Sequence, residues 1–245
     1  MSYLDAHWIE SDVAEIKKHS PQIWREVRRF NLPVQLAVAA GHQVLKYSED
    51  PRRVAIISLA PCHAGSPELF QWGHAVVAHL PSGNVGEVRM NPTHTLHAVD
   101  NLALSALAIA FANQGYCLGL GGSAGQAWNG LEMCHQLLST GAESEIVMMA
   151  GDQDWAETHS EGLGIALLFS RHEKAYGPLG RPVRLQGIER RSGPNATAVK
   201  PHAAKGLADM IQSICASTNG RTIEYHVPDQ HTNGCDRYSI TFEMN

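Results

Sequence analysis

A glycine-rich turn near the middle of the chain restricts the local fold more than any other feature. It occupies residues 121–125, between a short apolar segment at 116–120 and a predicted helix at about 125–139, and a second apolar segment follows at 145–150. The unpaired N–H groups at a helix N-terminus make a Ser or Cys side chain there more acidic and stabilise an oxyanion. Many enzymes place a nucleophile at such a turn, where this chain offers no cysteine but only Ser123, Ala124 and Gln126.

Charge and composition exclude several classes of function. The 245-residue chain has a net charge of −5, and its 19 Lys and Arg residues are scattered along the sequence. A nucleic-acid partner or an anionic membrane surface is therefore not expected. The N-terminal residues do not resemble a signal peptide, and no apolar stretch is long enough to span a bilayer. We expect a cytoplasmic protein whose partner is a small molecule or another protein.

The cysteine and histidine spacings do not indicate a metal site or a disulfide framework. No two cysteines form a CxxC pair, and no histidines form an HxH or HExxH pattern. We therefore expect no metal, no cofactor and reduced thiols. The five cysteines are Cys62, Cys117, Cys134, Cys215 and Cys235.

Apolar patterning predicts a single α/β domain over residues 1–245. Pro21 and Pro33 indicate two helix starts, because proline suits the first turn of a helix. Residues 53–59, 116–120 and 145–150 read as buried strands, and the apolar helix at 97–113 is expected in the core. From residue 162 the pattern becomes β-rich, with strands at 164–170, 183–190 and 238–244 and one helix at 203–215. The expected fold is a mixed sheet with a buried central helix.

One interpretation of the turn is a serine esterase. Gly121-Gly122-Ser123-Ala124-Gly125 fits the G-x-S-x-G pattern of α/β-hydrolases, and Ser123 would be the nucleophile. The catalytic triad also needs an acid and a histidine downstream. The bland alternative is that the glycines only permit a tight turn and close helix packing. The residues available for the triad are Asp152 or Asp154 and His202 or His231.

The surrounding sequence resembles the N-terminal half of β-ketoacyl synthases. The resemblance covers roughly residues 25–170 and is closest to the divergent ketosynthase-like subunits known as chain-length factors. It implies a thiolase-like α/β fold. The segments that carry it are Met90-Asn91-Pro92-Thr93, residues 97–103, the apolar helix to Asn113, the glycine-rich turn, Leu137-Leu138-Ser139-Thr140-Gly141 and Met149-Ala150-Gly151-Asp152.

The same resemblance implies that the chain has no catalytic residue of its own. A ketosynthase carries a nucleophilic cysteine at the start of the helix after the turn. Counting without gaps from Gly141 places Ala124 at that position, whereas alignment on Ala150 and Gly151 places Gln126 there. Neither side chain forms an acyl thioester.

The resemblance further implies a function at an interface. A silent subunit of this kind forms a heterodimer with an active β-ketoacyl synthase and meets the acyl carrier protein only indirectly. It helps to shape the tunnel for a growing acyl or polyene chain in a bacterial polyketide or aryl polyene pathway. The pairing strand would contribute Tyr116, Cys117, Leu118 and Leu120, and the tunnel and turn would contribute Gly122, Ser123, Ala124, Gly125, Gln126 and Trp128.

A simpler, purely structural alternative exists for two of these roles. Trp128 either closes the mouth of an acyl pocket or simply anchors the packing of its helix. The whole chain, in turn, is either a tunnel-forming subunit or a plain scaffold without a tunnel.

Overall fold

The described strands form one eight-stranded mixed sheet. The computed structural model describes residues 1–59, 78, 101–121, 126–153, 162–174, 183–194, 203–217, 221–228 and 234–244. The strand order is β3-β2-β4-β5-β1-β6-β8-β7, in which β2 runs parallel to β3 and β4 and every other pair is antiparallel. The strands are β1 (Ser2–Glu10), β2 (Ala55–Leu59), β3 (Cys117–Leu120), β4 (Glu145–Gln153), β5 (Gly162–Ser170), β6 (Val183–Pro194), β7 (Arg221–Pro228) and β8 (Gly234–Met244).

Six described helices cover the two faces of this sheet. Helices α1, α2, α3 and α4 pack on one face, and α5 and α6 pack on the other. The helices are α1 (Val13–His19), α2 (Pro21–Val27), α3 (Leu32–Leu45), α4 (Leu102–Ala110), α5 (Gln126–Thr140) and α6 (Ala203–Ala216).

Along the inner strands, side chains point alternately to the two faces of the sheet and contribute to the apolar core on each face. In β4, Met148 belongs to the cluster under α5 and α6, whereas Val147 and Met149 belong to the cluster under α2, α3 and α4. Successive side chains of a strand point to opposite faces, so a strand covered on both sides is apolar throughout. This explains the continuous apolar runs of β2 and β4.

Helix α3 is the buried central helix of the fold. Every residue after Leu32 is buried, because the sheet lies beneath the helix while Ile16 of α1 and Leu107 of α4 belong to the apolar clusters around it. Two glycines permit this close contact. A Cβ atom on Gly151 of β4 would overlap the carbonyl oxygen of Pro33, and one on Gly164 of β5 would overlap that of Leu36.

A hydrogen-bonded network satisfies the polar side chains that α3 buries. The Nε2 amide of Gln43 donates to Ser20 Oγ at 3.1 Å, and Ser20 Oγ shares a hydrogen bond of 2.7 Å with His42 Nδ1. On the other side of the ring, Gln22 Nε2 lies 3.4 Å from His42 Nε2. Burial lowers the pKa of His42 to about 4. The imidazole is therefore neutral at physiological pH.

The structure confirms part of the predicted element pattern. Helices α2 and α3 begin at Pro21 and Leu32, and α6 begins at Ala203 as expected. Strand β1 was not predicted, because a bulge at Asp5 interrupts the alternation of its side chains between the two faces of the sheet. Helix α1 and strand β7 were also not predicted.

Two predictions of burial are wrong. Helix α4, part of the apolar segment at 97–113, buries only Ala103, Leu104 and Leu107, and Ile109 is 76% exposed. The segment at 116–120 is also not a buried strand, since Cys117 and Gly119 of β3 are exposed. The physical reason is the same for both elements. Both elements lie at the end of the sheet that β3 forms. Among the described residues, neighbouring elements pack against them from one side only.

The contact between α3 and the sheet predicts that Gly164→Ala lowers the free energy of unfolding by roughly 2–3 kcal/mol, because the new methyl group must push α3 away from β5. Gly187→Ala is the matched control, since a Cβ atom there has no neighbour within 4 Å. It should change stability by less than about 0.5 kcal/mol. Urea denaturation of both variants tests this prediction. Equal denaturation midpoints would contradict the close packing of α3 against Gly164.

Candidate functional site

The carboxyl ends of three parallel strands meet at one edge of the sheet. Strands β3, β2 and β4 run in the same direction, so Leu120, Leu59 and the end of β4 lie on the same side. Helix α5 begins there at Gln126, after the glycine-rich turn. The crevice outside the carboxyl ends of parallel strands is the usual ligand site of α/β proteins. Leu120 and Gln126, two of the predicted site residues that the structure describes, therefore lie at the edge of the sheet where ligands bind in such folds.

The turn itself lies outside the described residues. Gly122, Ser123, Ala124 and Gly125 are not described, and their roles stay predictions. Gln126 is the first residue of α5 and is only 3% exposed. Its side chain thus points into the protein at the start of the helix, where a carboxamide offers hydrogen bonds but no nucleophile.

Trp128 packs inside the core between two helices. It belongs to the same buried cluster as Leu207 of α6. A Cβ atom on Gly206 would lie 3.5 Å from Cζ2 of the indole, so the glycine leaves room for the ring. These contacts are those of a packing anchor between α5 and α6. A contribution of Trp128 to an acyl pocket stays a prediction.

Asp152 fastens the end of β4 to the start of α6. Its carboxylate is buried, and Oδ2 accepts a hydrogen bond of 2.6 Å from the backbone N–H of Ala204. A carboxylate at a helix N-terminus satisfies a free N–H group and interacts favourably with the helix dipole. Asp154, His202 and His231, the other triad candidates, lie outside the described residues. At least one oxygen of Asp152 is therefore engaged in holding α6.

The thiols near the turn are not activated. Cys117 lies on β3, and partial burial raises the pKa of its thiol. Cys134 is fully buried in α5, and burial raises the pKa of its thiol much further. Reactive cysteines instead have lowered pKa values, from helix N-termini or nearby cations. Neither thiol therefore has the lowered pKa of a reactive cysteine.

Some main-chain groups of strand β3 face a side where the described part of the chain places no neighbouring strand. Tyr116 accepts from the Ile56 N–H at 2.8 Å, and the parallel register pairs Ile56 with Cys117. Main-chain groups alternate between the two sides of a strand, so those of Cys117 and Gly119 point away from β2. No strand among the described residues covers this side. Tyr116, which directly precedes β3, is 45% exposed.

Neither a metal-binding group nor a membrane-spanning helix occurs within the described part of the chain. No cluster of three or more His, Cys, Asp or Glu side chains there has the geometry to hold an ion. No helix in the same ranges has the length and apolar character needed to cross a bilayer.

Known structures resemble this fold over nearly the whole chain. One is a complex of the ketosynthase ApeO with its chain length factor ApeC from Xenorhabdus doucetiae, at 13% identity and TM-score 0.57, covering 98% of this chain and 99% of the matched chain. Another is AntDE:AntF, a type II polyketide synthase acyl-carrier protein in complex with its ketosynthase, at 14% identity and TM-score 0.60, covering 99% of both chains. This chain has the ketosynthase fold.

A β-ketoacyl synthase from Burkholderia phymatum STM815 has the same ketosynthase fold at 9% identity and TM-score 0.60, covering 90% of this chain and 84% of that one. No protein-family model and no curated protein matches the sequence. The predicted thiolase-like α/β fold is confirmed, and the likeness extends well beyond the segment at 25–170 that carries the sequence resemblance. The ketosynthase fold thus includes the β-rich residues from 162 onward.

The capping role of Asp152 predicts that Asp152→Ala lowers the free energy of unfolding by roughly 1–3 kcal/mol, because a buried helix N–H loses its charged acceptor. Asp209→Ala is the control. Its carboxylate is exposed and pairs with Lys205 within α6 at 3.0 Å, so its loss should cost less than about 1 kcal/mol. Hydrogen exchange of the α6 amides should also accelerate in Asp152→Ala. Equal stability of the two variants would contradict this role.

Proposed function

We propose that this chain is a catalytically inactive ketosynthase-like subunit, a chain-length factor, that pairs with an active β-ketoacyl synthase. The observation that carries the proposal is the outer side of β3, which no strand among the described residues covers and which precedes the glycine-rich turn in a ketosynthase fold. An edge strand of this kind is a template for pairing with a strand of another chain. Strand addition by a related subunit supplies that cover with matching hydrogen bonds.

The residues at the turn support the absence of catalysis. The position that corresponds to the nucleophile of a ketosynthase is Ala124 or Gln126, depending on the alignment. Gln126 is buried and carries a carboxamide, which does not form a thioester. The two thiols closest in sequence, Cys117 and Cys134, have raised pKa values. Such a chain acts through its shape and its interface.

Several similar structures support the choice of partner. The ApeO complex contains a ketosynthase with its chain length factor, and so does the ishigamide ketosynthase/chain length factor, with 14% identity and TM-score 0.56. We propose the same kind of heterodimer here, in a bacterial polyketide or aryl polyene pathway. The start of α5 and Trp128 would shape the acyl tunnel from this side, and the acyl carrier protein would dock mainly on the active subunit.

The serine esterase alternative gains no support from the described residues. Strand β3, which leads into the G-x-S-x-G segment, is the last strand at one end of the sheet. Asp152 is engaged with α6, and the remaining triad candidates lie outside the described residues. The geometry therefore favours the ketosynthase-like subunit.

A proline substitution in β3 tests the interface. Cys117→Pro removes an N–H that faces away from β2, and such a position on an edge strand tolerates proline. The variant should fold normally but bind a co-expressed candidate ketosynthase roughly 10- to 100-fold more weakly. The partner strand would lose one main-chain hydrogen bond and would clash with the proline ring. Cys117→Ser keeps the N–H and should bind like the unmodified chain.

Co-purification and titration by light scattering measure this binding, with thermal unfolding as the check on folding. If Cys117→Pro binds as tightly as Cys117→Ser, β3 is not the interface. If the unmodified chain is a stable monomer that no ketosynthase binds at micromolar concentration, the proposed heterodimer is wrong.

Intact-protein mass spectrometry tests the absence of catalysis. After incubation with acyl carrier protein thioesters, this chain should carry no acyl adduct, whereas an active β-ketoacyl synthase in the same mixture should be acylated. A stable adduct on this chain would overturn the proposal. If Ser123→Ala then removed the adduct, the esterase interpretation would replace it.

A further inference from the structure

A polar groove crosses strands β6, β8 and β7, at the other end of the sheet from β3. Its volume is about 390 Å³. Ile240 and Phe242, on either side of Thr241 in β8, belong to the apolar core under α5 and α6. Thr241 lines the groove, so the groove lies on the opposite face of the sheet, where the alternate side chains point. The candidate functional site uses none of the groove residues.

A row of three hydroxyl groups forms one side of the groove. Thr222 of β7 and Thr241 of β8 pair across the strands, and their Oγ1 atoms lie 3.2 Å apart. Ser239 lies two residues before Thr241 and also lines the groove. A hydroxyl group has one proton to donate and two lone pairs to accept. The bond between the two threonines uses one proton and one lone pair, so this hydroxyl row still offers donors and acceptors to a ligand.

The charged side chains at the groove are paired with each other. Arg191 Nη2 donates to Glu189 Oε2 at 2.7 Å. Gln186 Nε2 donates to Glu243 Oε2 at 2.8 Å, and Arg184 Nη1 lies 3.4 Å from the same oxygen. These two carboxylates and two guanidinium groups balance, so an ionic ligand gains no net attraction from them. A guanidinium group has five N–H donors and a carboxylate has two acceptor oxygens, so each pair keeps hydrogen-bonding positions for a neutral ligand.

Gly187 lines the groove where packing gives no reason for a glycine. It pairs with Thr241 in the ladder between β6 and β8, directly after a bulge at Gln186. A glycine inside a strand lowers stability. At Gly164 close packing explains the glycine, whereas a Cβ atom on Gly187 would have no neighbour within 4 Å. Bulges and glycines within strands are typical of places where a ligand approaches the backbone closely.

We propose that this groove binds a neutral polyol of the size of a mono- or disaccharide. Neighbouring hydroxyl groups of such a ligand each donate and accept, so they match the hydroxyl row on one side and the Glu189–Arg191 pair on the other. The sugar ring approaches the backbone at Gly187. No covalent bond forms or breaks, and neither the proposal nor its test depends on the proposed function.

The size and polarity of the groove fit this class of ligand. Its volume lies near the lower end of the range for small-molecule sites, about 300–1,000 Å³. The side chains that line it are polar, so an acyl chain would bury little apolar surface there. The groove is open to water, which competes for every hydrogen bond. We therefore expect weak but saturable binding.

An NMR titration of the full chain tests the proposal, with glucose and maltose as polyol probes and acetate and inorganic phosphate as ionic probes. At least one sugar should shift the amide signals of Gly187, Thr222 and Thr241 saturably, with a Kd on the order of 1–10 mM. Acetate and phosphate should not. The proposal is overturned if neither sugar gives saturable shifts at these amides below about 100 mM, or if acetate or phosphate binds there as tightly.

Two variants locate the binding within the groove. Thr241→Val exchanges the hydroxyl for a methyl group of the same shape and should weaken sugar binding roughly 3- to 10-fold. Gly187→Val places a side chain in the groove and should weaken it by at least about 10-fold. Thermal unfolding of both variants checks that they remain folded.

Thr140→Val is the matched control, since it makes the same exchange at the end of α5. The hydroxyl there donates to the carbonyl oxygen of Gln136 at 2.9 Å. This variant should bind the sugar like the unmodified chain. If Thr241→Val or Gly187→Val, once shown to be folded, binds as tightly as Thr140→Val, the groove is not the site and the proposal is wrong.

Discussion

The close contact between α3 and strands β4 and β5 is the constraint on which the rest of the structure depends. Gly151 and Gly164 bring the backbone of α3 against the sheet, and α1, α2 and α4 then pack around it. Because α3 is buried along its length, its side chains must be apolar or hydrogen-bonded within the protein. His42 and Gln43 of α3 meet this need through their hydrogen bonds with Ser20. The sheet is fixed by the same contact, since β4 and β5 are inner strands with a neighbouring strand on each side.

Strand β4 carries a buried carboxylate at each end, and the two have different consequences. Asp152 at the carboxyl end meets a helix N-terminus, which stabilises its charge and joins the start of α6 to the end of β4. Glu145 at the amino end shares one ammonium with Asp5. A helix N-terminus thus compensates the buried charge at one end of the strand, and a lysine side chain does so at the other.

The edge of the sheet connects the fold with function. The side of β3 that no described strand covers offers main-chain hydrogen bonds to another strand. Tyr116, which directly precedes that strand, is exposed. In our proposal these features serve one purpose, because the tunnel of a heterodimer needs a wall as well as a catalyst.

The sequence by itself determined the α/β class, the starts of α2, α3 and α6, and the likeness to ketosynthases, because proline, apolar runs and glycine spacing are local signals. It misjudged α4 and β3, whose apolar composition indicated burial. Composition reports what a residue prefers, whereas its position in the sheet decides whether a neighbour covers it. Only the tertiary structure brought Asp152 to Ala204 and gathered Asp5, Glu145 and Lys174, since these residues are far apart in sequence and no local pattern encodes such contacts.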